Sequence, residues 1–217
     1  MNGKKNIVPN HDGVPDARGV GGRTVFPERT ETARPHKREK PSKRKVGQVI
    51  ERFGVTDKQR ERILKHCSGK KYPLVRRVIE QETQPKERPL ALSYCASMSG
   101  MGIIANSAVV VTSLGEELRE ATVAPPGEGA VSATCKAIRG AVKIDFRLTD
   151  YLVRIESGNE ERRNEDSSAR VIVELECDGK LFVGTHCSTD VIQASAIAIL
   201  DALNRYVSYQ TWKKTNS

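Results

Sequence analysis

Residues 171–191 read Val-Ile-Val-Glu-Leu-Glu-Cys-Asp-Gly-Lys-Leu-Phe-Val-Gly-Thr-His-Cys-Ser-Thr-Asp-Val. Three local signals in this stretch decide the fold class. Val171 to Leu175 is a strand of mostly β-branched residues. Asp178-Gly179 supplies the positive φ angles of a two-residue hairpin, so Lys180 to Thr185 returns as its partner. Ser188-Thr189-Asp190 then offers side-chain oxygens to the free N–H groups of a helix start. That helix runs from Val191 to about Tyr206, and Ala194, Ala196 and Ala198 give it a small side that can approach a neighbour closely. Upstream, Tyr151 to Ser157 alternates weakly, and a polar loop, Gly158 to Ser168, follows it. The unit is strand, strand, strand, helix.

The unit occurs twice. At an offset of 61, Ser107-Ala108 matches Ser168-Ala169, Val110 matches Val171, and Leu92 and Tyr94 fall on Val153 and Ile155. Ala133, Ala137 and Ile138 match Ala194, Ala198 and Ile199. The first copy then has strands at Ala91–Ser97, Ala108–Ser113 and Glu117–Ala124, with Gly115 at the hairpin turn. Gly127-Glu128-Gly129 leads into a helix from Ala130 to about Val142. Two β-β-β-α units predict an α+β domain with helices segregated to one face of antiparallel sheet.

Upstream the composition changes. Residues 1–90 hold 23 Lys and Arg against 11 Asp and Glu, whereas residues 91–217 hold 13 against 16. The net charge of +9 therefore belongs to the front of the chain. Residues 1–45 have few apolar side chains and much Gly, Pro, Lys and Arg, which predicts a disordered basic tail. Its Lys37-Arg38-Glu39-Lys40 and Lys43-Arg44-Lys45 clusters fit either a solvated tail or a tether to nucleic acid or another anionic surface. Residues 46–83 read as three short helices. Val46, Val49, Ile50 and Phe53 make the first stripe, with Gly54 as its stop. Thr56 and Gln59 form a capping box before the second, which carries Ile63, Leu64 and Cys67. Tyr72-Pro73 starts the third, with Leu74, Val75, Val78 and Ile79. The stripes read as core. The unit as a whole fits a small docking subdomain or a helix-turn-helix DNA binder.

Other classes lose ground on inventory. The five cysteines contain no C-x-x-C, so neither a disulfide framework nor a zinc site is indicated, and reduced thiols point to the cytoplasm. Met1–Pro9 has no apolar core of the kind a secretory signal needs. The longest apolar run, Ala196–Leu200, is far too short to span a bilayer. His11, His36, His66 and His186 form no H-x-H pair, and no G-x-S-x-G, P-loop or H-E-x-x-H occurs. His186-Cys187 reads as strand-end packing. No metal, cofactor or catalytic residue is predicted.

Two segments carry a family resemblance. Gly127-Glu128-Gly129-Ala130-Val131-Ser132-Ala133, followed by Lys136-Ala137-Ile138, resembles the G-x-G-P-V-D-A segment in the C-terminal regulatory domain of 2-isopropylmalate synthase, with Ala130 and Ser132 standing for Pro and Asp. Gly184, then Ser188-Thr189-Asp190-Val191-Ile192-Gln193-Ala194-Ser195-Ala196 and Ala202-Leu203-Asn204-Arg205, is similar to that domain's S-T-D-I-[IV]-x-A-S-A segment. Leu148-Thr149-Asp150-Tyr151 fits its strand entry. The likeness runs over residues 90–208; homocitrate and citramalate synthases carry similar domains. No counterpart of the family's catalytic barrel or its H-x-H metal pair is present in these residues, so catalysis by this chain itself is not expected.

Composition and periodicity thus divide off a basic tail at 1–45 and a three-helix segment at 46–85, and the resemblance implies a leucine-binding, dimerising regulatory domain at 88–210. It implies a homodimer that binds leucine or a similar end product, and a separate synthase subunit as a possible partner. The implied effector-binding residues are Gly127, Gly129, Val131, Ala133, Tyr151, Ile155, Ser188, Thr189, Asp190 and Ala194. Helix N-termini suit a ligand carboxylate, and glycines admit close backbone approach. Asp190 fits the ligand ammonium or a plain N-cap; Val131, Ile155 and Tyr151 fit an apolar wall or plain core. The competing readings are a nucleic-acid-binding protein built on the basic front half and a dimerisation domain without ligand. The β-β-β-α order superficially resembles a double-stranded-RNA module but lacks a lysine cluster at its last helix start.

Overall fold

A computed structural model of the chain describes residues 43–67, 72–156 and 168–216. The tail expected at 1–45 therefore lies outside the described residues, except that Lys43–Lys45 open a helix; most of the polar loop at 158–168 lies outside them too. The order is α1 (Lys43–Ile50), α2 (Asp57–Cys67), α3 (Tyr72–Glu82), β1 (Leu90–Gly100), β2 (Ile103–Ser113), β3 (Glu116–Val123), α4 (Ala130–Val142), β4 (Arg147–Glu156), β5 (Ser168–Cys177), β6 (Lys180–Ser188) and α5 (Val191–Thr215). The strands make two antiparallel sheets, β1-β2-β3 and β4-β5-β6. The α+β class and the doubled β-β-β-α unit are as the sequence implies.

The repeat is less uniform than a constant offset. Both hairpins turn through two residues with positive φ, Leu114-Gly115 and Asp178-Gly179, as the twist of the strands demands. Both first strands carry an extra residue against their partner, Ser93 and Thr149. Aligned on these features, Val109 corresponds to Val173 and Cys95 to Tyr151. The offset of 61 holds for the helix caps, Gly129 and Asp190. It fails in the strands, where it sets the partly exposed Val110 against the buried Val171. Unequal connections are the reason: six residues separate β3 from α4, but two separate β6 from α5. An odd shift turns a strand's side chains to the other face.

α4 packs on β2 and β3, while α5 packs on β5, β6 and β1. The inner faces of both sheets join them in one core, with Val109, Val111, Ile138, Val171, Val173, Leu175, Ile199 and Leu203 fully covered. Gly184 lets α5 close on β6: a Cβ there would stand 2.0 Å from the Ala198 carbonyl oxygen. Asn204, 2% exposed, accepts from Leu90 N at 2.9 Å and donates to Leu90 O at 2.8 Å, fastening β1 to α5.

The outer face of the second sheet is roofed by α1–α3. Ile50, Ile63, Val75 and Ile79 share a core with Ile172, Leu181 and Val183. The Thr56–Gln59 capping box forms, with Thr56 N donating to Gln59 Oε1 at 2.8 Å and Gln59 N to Thr56 Oγ1 at 3.3 Å. Gly54 is not the stop of α1, which ends at Ile50. Its role is contact: a Cβ would meet the Phe182 ring at 2.2 Å. Charged groups fasten α3. Arg170 pairs with Glu80 at 2.9 Å, Arg76 with Glu174 at 3.0 Å, and the buried Arg205 donates to Glu80 O at 2.6 Å while pairing with Asp201 at 2.9 Å. Such charges are tolerated inside because each has an opposite partner.

Candidate effector-binding site

The two helix starts differ. α5 is capped by Asp190, whose Oδ1 accepts from Ile192 N at 2.8 Å and Gln193 N at 3.0 Å. Ser188 Oγ accepts from Asp190 N at 3.2 Å and donates to Gln193 Oε1 at 3.2 Å. α4 begins at Gly129, in extended conformation and with no side-chain cap. Its first N–H groups thus lack the carboxylate that Asp190 gives α5. Gly127 precedes it at φ +89°, a backbone state that favours glycine. Glu128 accepts from Ser132 and pairs with Lys136 at 2.9 Å; the Ser132 hydrogen bond first, then Lys136, lowers its pKa.

Polar contacts lead from the first turn of α4 onto the first sheet. Thr134, fully buried on α4, donates to Ser107 Oγ at 3.1 Å. Ser107 bonds the Cys95 thiol on β1, and Cys95 lies close enough to Asp190 to feel its charge. Burial raises the pKa of Cys95, Asp190 raises it further, and the Ser107 hydrogen bond opposes both. In the second repeat the same places hold Tyr151 and Ser195, whose hydroxyls lie 2.8 Å apart. The Ala130 carbonyl, 2.9 Å from Thr134 Oγ1, is a second acceptor within reach of that hydroxyl's one proton, and Ser195 donates to the Val191 carbonyl at 2.6 Å. Cys95, Ser107, Thr134 and Ser195 are not among the effector-binding residues that the sequence implies. Thr134 and Ser195 stand 61 apart, so the helix offset itself was the signal for them.

The remaining candidates divide between rim and floor. Ile155, Ala169 and Ser188 share one rung of the second sheet beside the start of α5, and Ile155 is 73% exposed. Thr189 is exposed; Val131 and Tyr151 are half-buried against the core. Ala133 and Ala194 are wholly buried, Ala133 against Ala105 and Ala124. They form packing beneath the helix starts. Among the described residues no three His, Cys, Asp or Glu side chains converge as a metal site, and no helix is long and apolar enough to cross a membrane.

Comparison with known proteins agrees with this architecture. The model of the LeuA allosteric (dimerisation) domain matches residues 74–207, from α3 into α5. The chain belongs to that family. Among curated relatives, 2-isopropylmalate synthase of Clostridium kluyveri is 36% identical over 124 residues, 57% of this chain and 22% of that protein. The Aquifex aeolicus 2-isopropylmalate synthase is 38% identical over 119 residues, 55% and 21% of the two chains. A Thermus thermophilus protein of the same name is 30% identical over 171 residues, 74% of this chain and 49% of that one. The chain thus spans under a quarter of the first curated relatives it matches. The LeuA domain match lends no support to the nucleic-acid reading.

Proposed function

We propose that this LeuA domain is a cytoplasmic feedback sensor that binds leucine, or a closely related end product of branched-chain amino-acid biosynthesis, and works as a homodimer. The observation that carries the reading is the unequal pair of helix starts. The uncapped start of α4 at Gly129 suits a ligand carboxylate, because its free N–H groups and helix dipole favour an anion. The capped start of α5 already holds the Asp190 carboxylate. That side chain spends Oδ1 on backbone N–H groups and leaves Oδ2 for an ammonium group. A zwitterion would offer its carboxylate to the α4 start and its ammonium to the Asp190 side chain. Val131 and Ile155, with Tyr151 behind them, provide apolar surface for a branched side chain.

The bound state would regulate a synthase, either a separate subunit or a catalytic part joined to this domain. Thermal unfolding of the full chain with single amino acids tests the effector class. Leucine is expected to raise the midpoint, since a ligand that binds only the native state stabilises it by mass action. Valine and isoleucine raise it less, and lysine does not. Equal midpoints with every amino acid contradict the sensor reading.

A further inference from the structure

The two sheets differ on their outer faces. α1–α3 roof that of β4-β5-β6, whereas among the described residues nothing covers that of β1-β2-β3. The bare face is apolar: Tyr94, Met98, Ile104 and Val123 are 54%, 57%, 52% and 62% exposed. A contiguous apolar patch of this kind marks an interaction surface. We propose that it seats the same face of a second copy, about a two-fold axis lying between the sheets and roughly parallel to β2. The proposal rests on the homodimer reading and assigns it a surface and a register.

The pairing of the strands carries the argument. Three outward rungs cross the sheet: Tyr94–Val110–Arg119, Ala96–Ala108–Ala121 and Met98–Asn106–Val123. A two-fold axis along β2 exchanges the edges of each rung. Met98 then lies on Val123 of the partner subunit, apolar on apolar. The alanine rung meets itself, and its short side chains let the sheets come together. Arg119, held by Glu117 at 2.5 Å, lies over Tyr94 of the partner subunit, where a guanidinium and an aromatic face attract. An axis across the strands instead sets Arg119 on Val123 and leaves the aromatic ring without a cation. The patch is self-complementary in one orientation, as a closed two-fold interface requires. Aligned packing of two sheets is a common arrangement. The Met98 rung lies toward the end of the sheet that carries the helix starts, so this interface runs up to the rim of the effector site.

Sedimentation and light scattering on the full chain test the proposal, with helical content and unfolding midpoint as controls. Wild type is expected to be a dimer. Ala108→Arg, at the axis, is expected to be a folded monomer, because position 108 faces solvent in the isolated chain. Arg119→Glu weakens the dimer about tenfold or more, and adding Tyr94→Arg restores it by reversing the pair. A dimeric wild type with a dimeric Ala108→Arg variant overturns this surface and leaves the homodimer standing. A wild type that stays monomeric, its face covered by another segment or partner, overturns both. If Ala108→Arg fails to fold, the Arg119 and Tyr94 pair decides: rescue supports the register and lack of rescue overturns it.

Discussion

The hydroxyl of Tyr151 on β4 lies 2.8 Å from that of Ser195 on α5, at the place where the first repeat sets Cys95. One copy of the unit thus fills the gap between strand and helix with a phenol ring, and the other leaves a thiol there. The repeats share a frame but not its contents. This fits a molecule in which one helix start is sealed by Asp190 and the other is open at Gly129.

Tyr151→Phe removes one hydrogen bond of that contact and is expected to cost about 1 kcal/mol of stability. In the Phe background Ser195→Ala removes only the remaining bond to the Val191 carbonyl, so it should cost less there than in the wild-type background. Urea unfolding of the two single variants and the double variant measures the coupling. Strict additivity would contradict the contact.

Asn204→Leu is expected to be far more damaging. Both polar groups of Leu90 then lie buried without a partner, a loss of about 2–5 kcal/mol. Gln at the same position should rescue only partly, because its longer side chain must find room in a packed core. A chemical unfolding curve for each reports the difference.

Gly184→Ala should fail for a steric reason. The added methyl group would stand 2.0 Å from the Ala198 carbonyl and 2.6 Å from the Ala202 nitrogen, and both belong to helix backbone that cannot step aside. The expected loss is about 3 kcal/mol or more, or no soluble protein. An unchanged unfolding midpoint would show that α5 does not close on β6 in this way.

Thiol reactivity checks the burial of the sheets and α4. Burial pushes Cys135 up to about 11 and Cys177 up to about 12, so at pH 8 almost no thiolate is present at either. Cys187 is exposed. Titration with a disulfide reagent at pH 8 is expected to label Cys187 fast, Cys95 slowly, and all five cysteines only after unfolding.

Much of this fold was legible in the residues. The Thr56–Gln59 box, the Asp178-Gly179 turn, the Asp190 cap and the limits of α4 are local signals, and local geometry suffices for them. The β1–β2 hairpin was harder. Its tip, Met98 to Ile104, has glycine and large apolar residues without alternation, so β1 and β2 run further than the pattern suggests. The last turns of α5 are harder to read because Tyr209 and Trp212, which stack one turn apart, are their main apolar residues, and it is a tertiary contact, Tyr209 on Phe182, that anchors them. The equivalence of Cys95 with Tyr151 depends on two bulges and on unequal loops, which no fixed offset contains. Within the candidate site, glycine and cap positions could be read from sequence. Which of those residues reach the surface and which lie buried beneath it follows only from packing, as Ala133 and Ala194 show.

The central claim is that the open start of α4 and the Asp190 side chain together hold an amino acid. Isothermal titration of leucine into the full chain tests it most directly, beside the variants Gly129→Val and Asp190→Asn. Asparagine preserves the cap and removes only the charge. The account predicts saturable binding of leucine to wild type, abolished by Gly129→Val and weakened about tenfold or more by Asp190→Asn with no loss of fold. Absence of heat from a folded wild-type chain, or equal affinity in all three proteins, would contradict it.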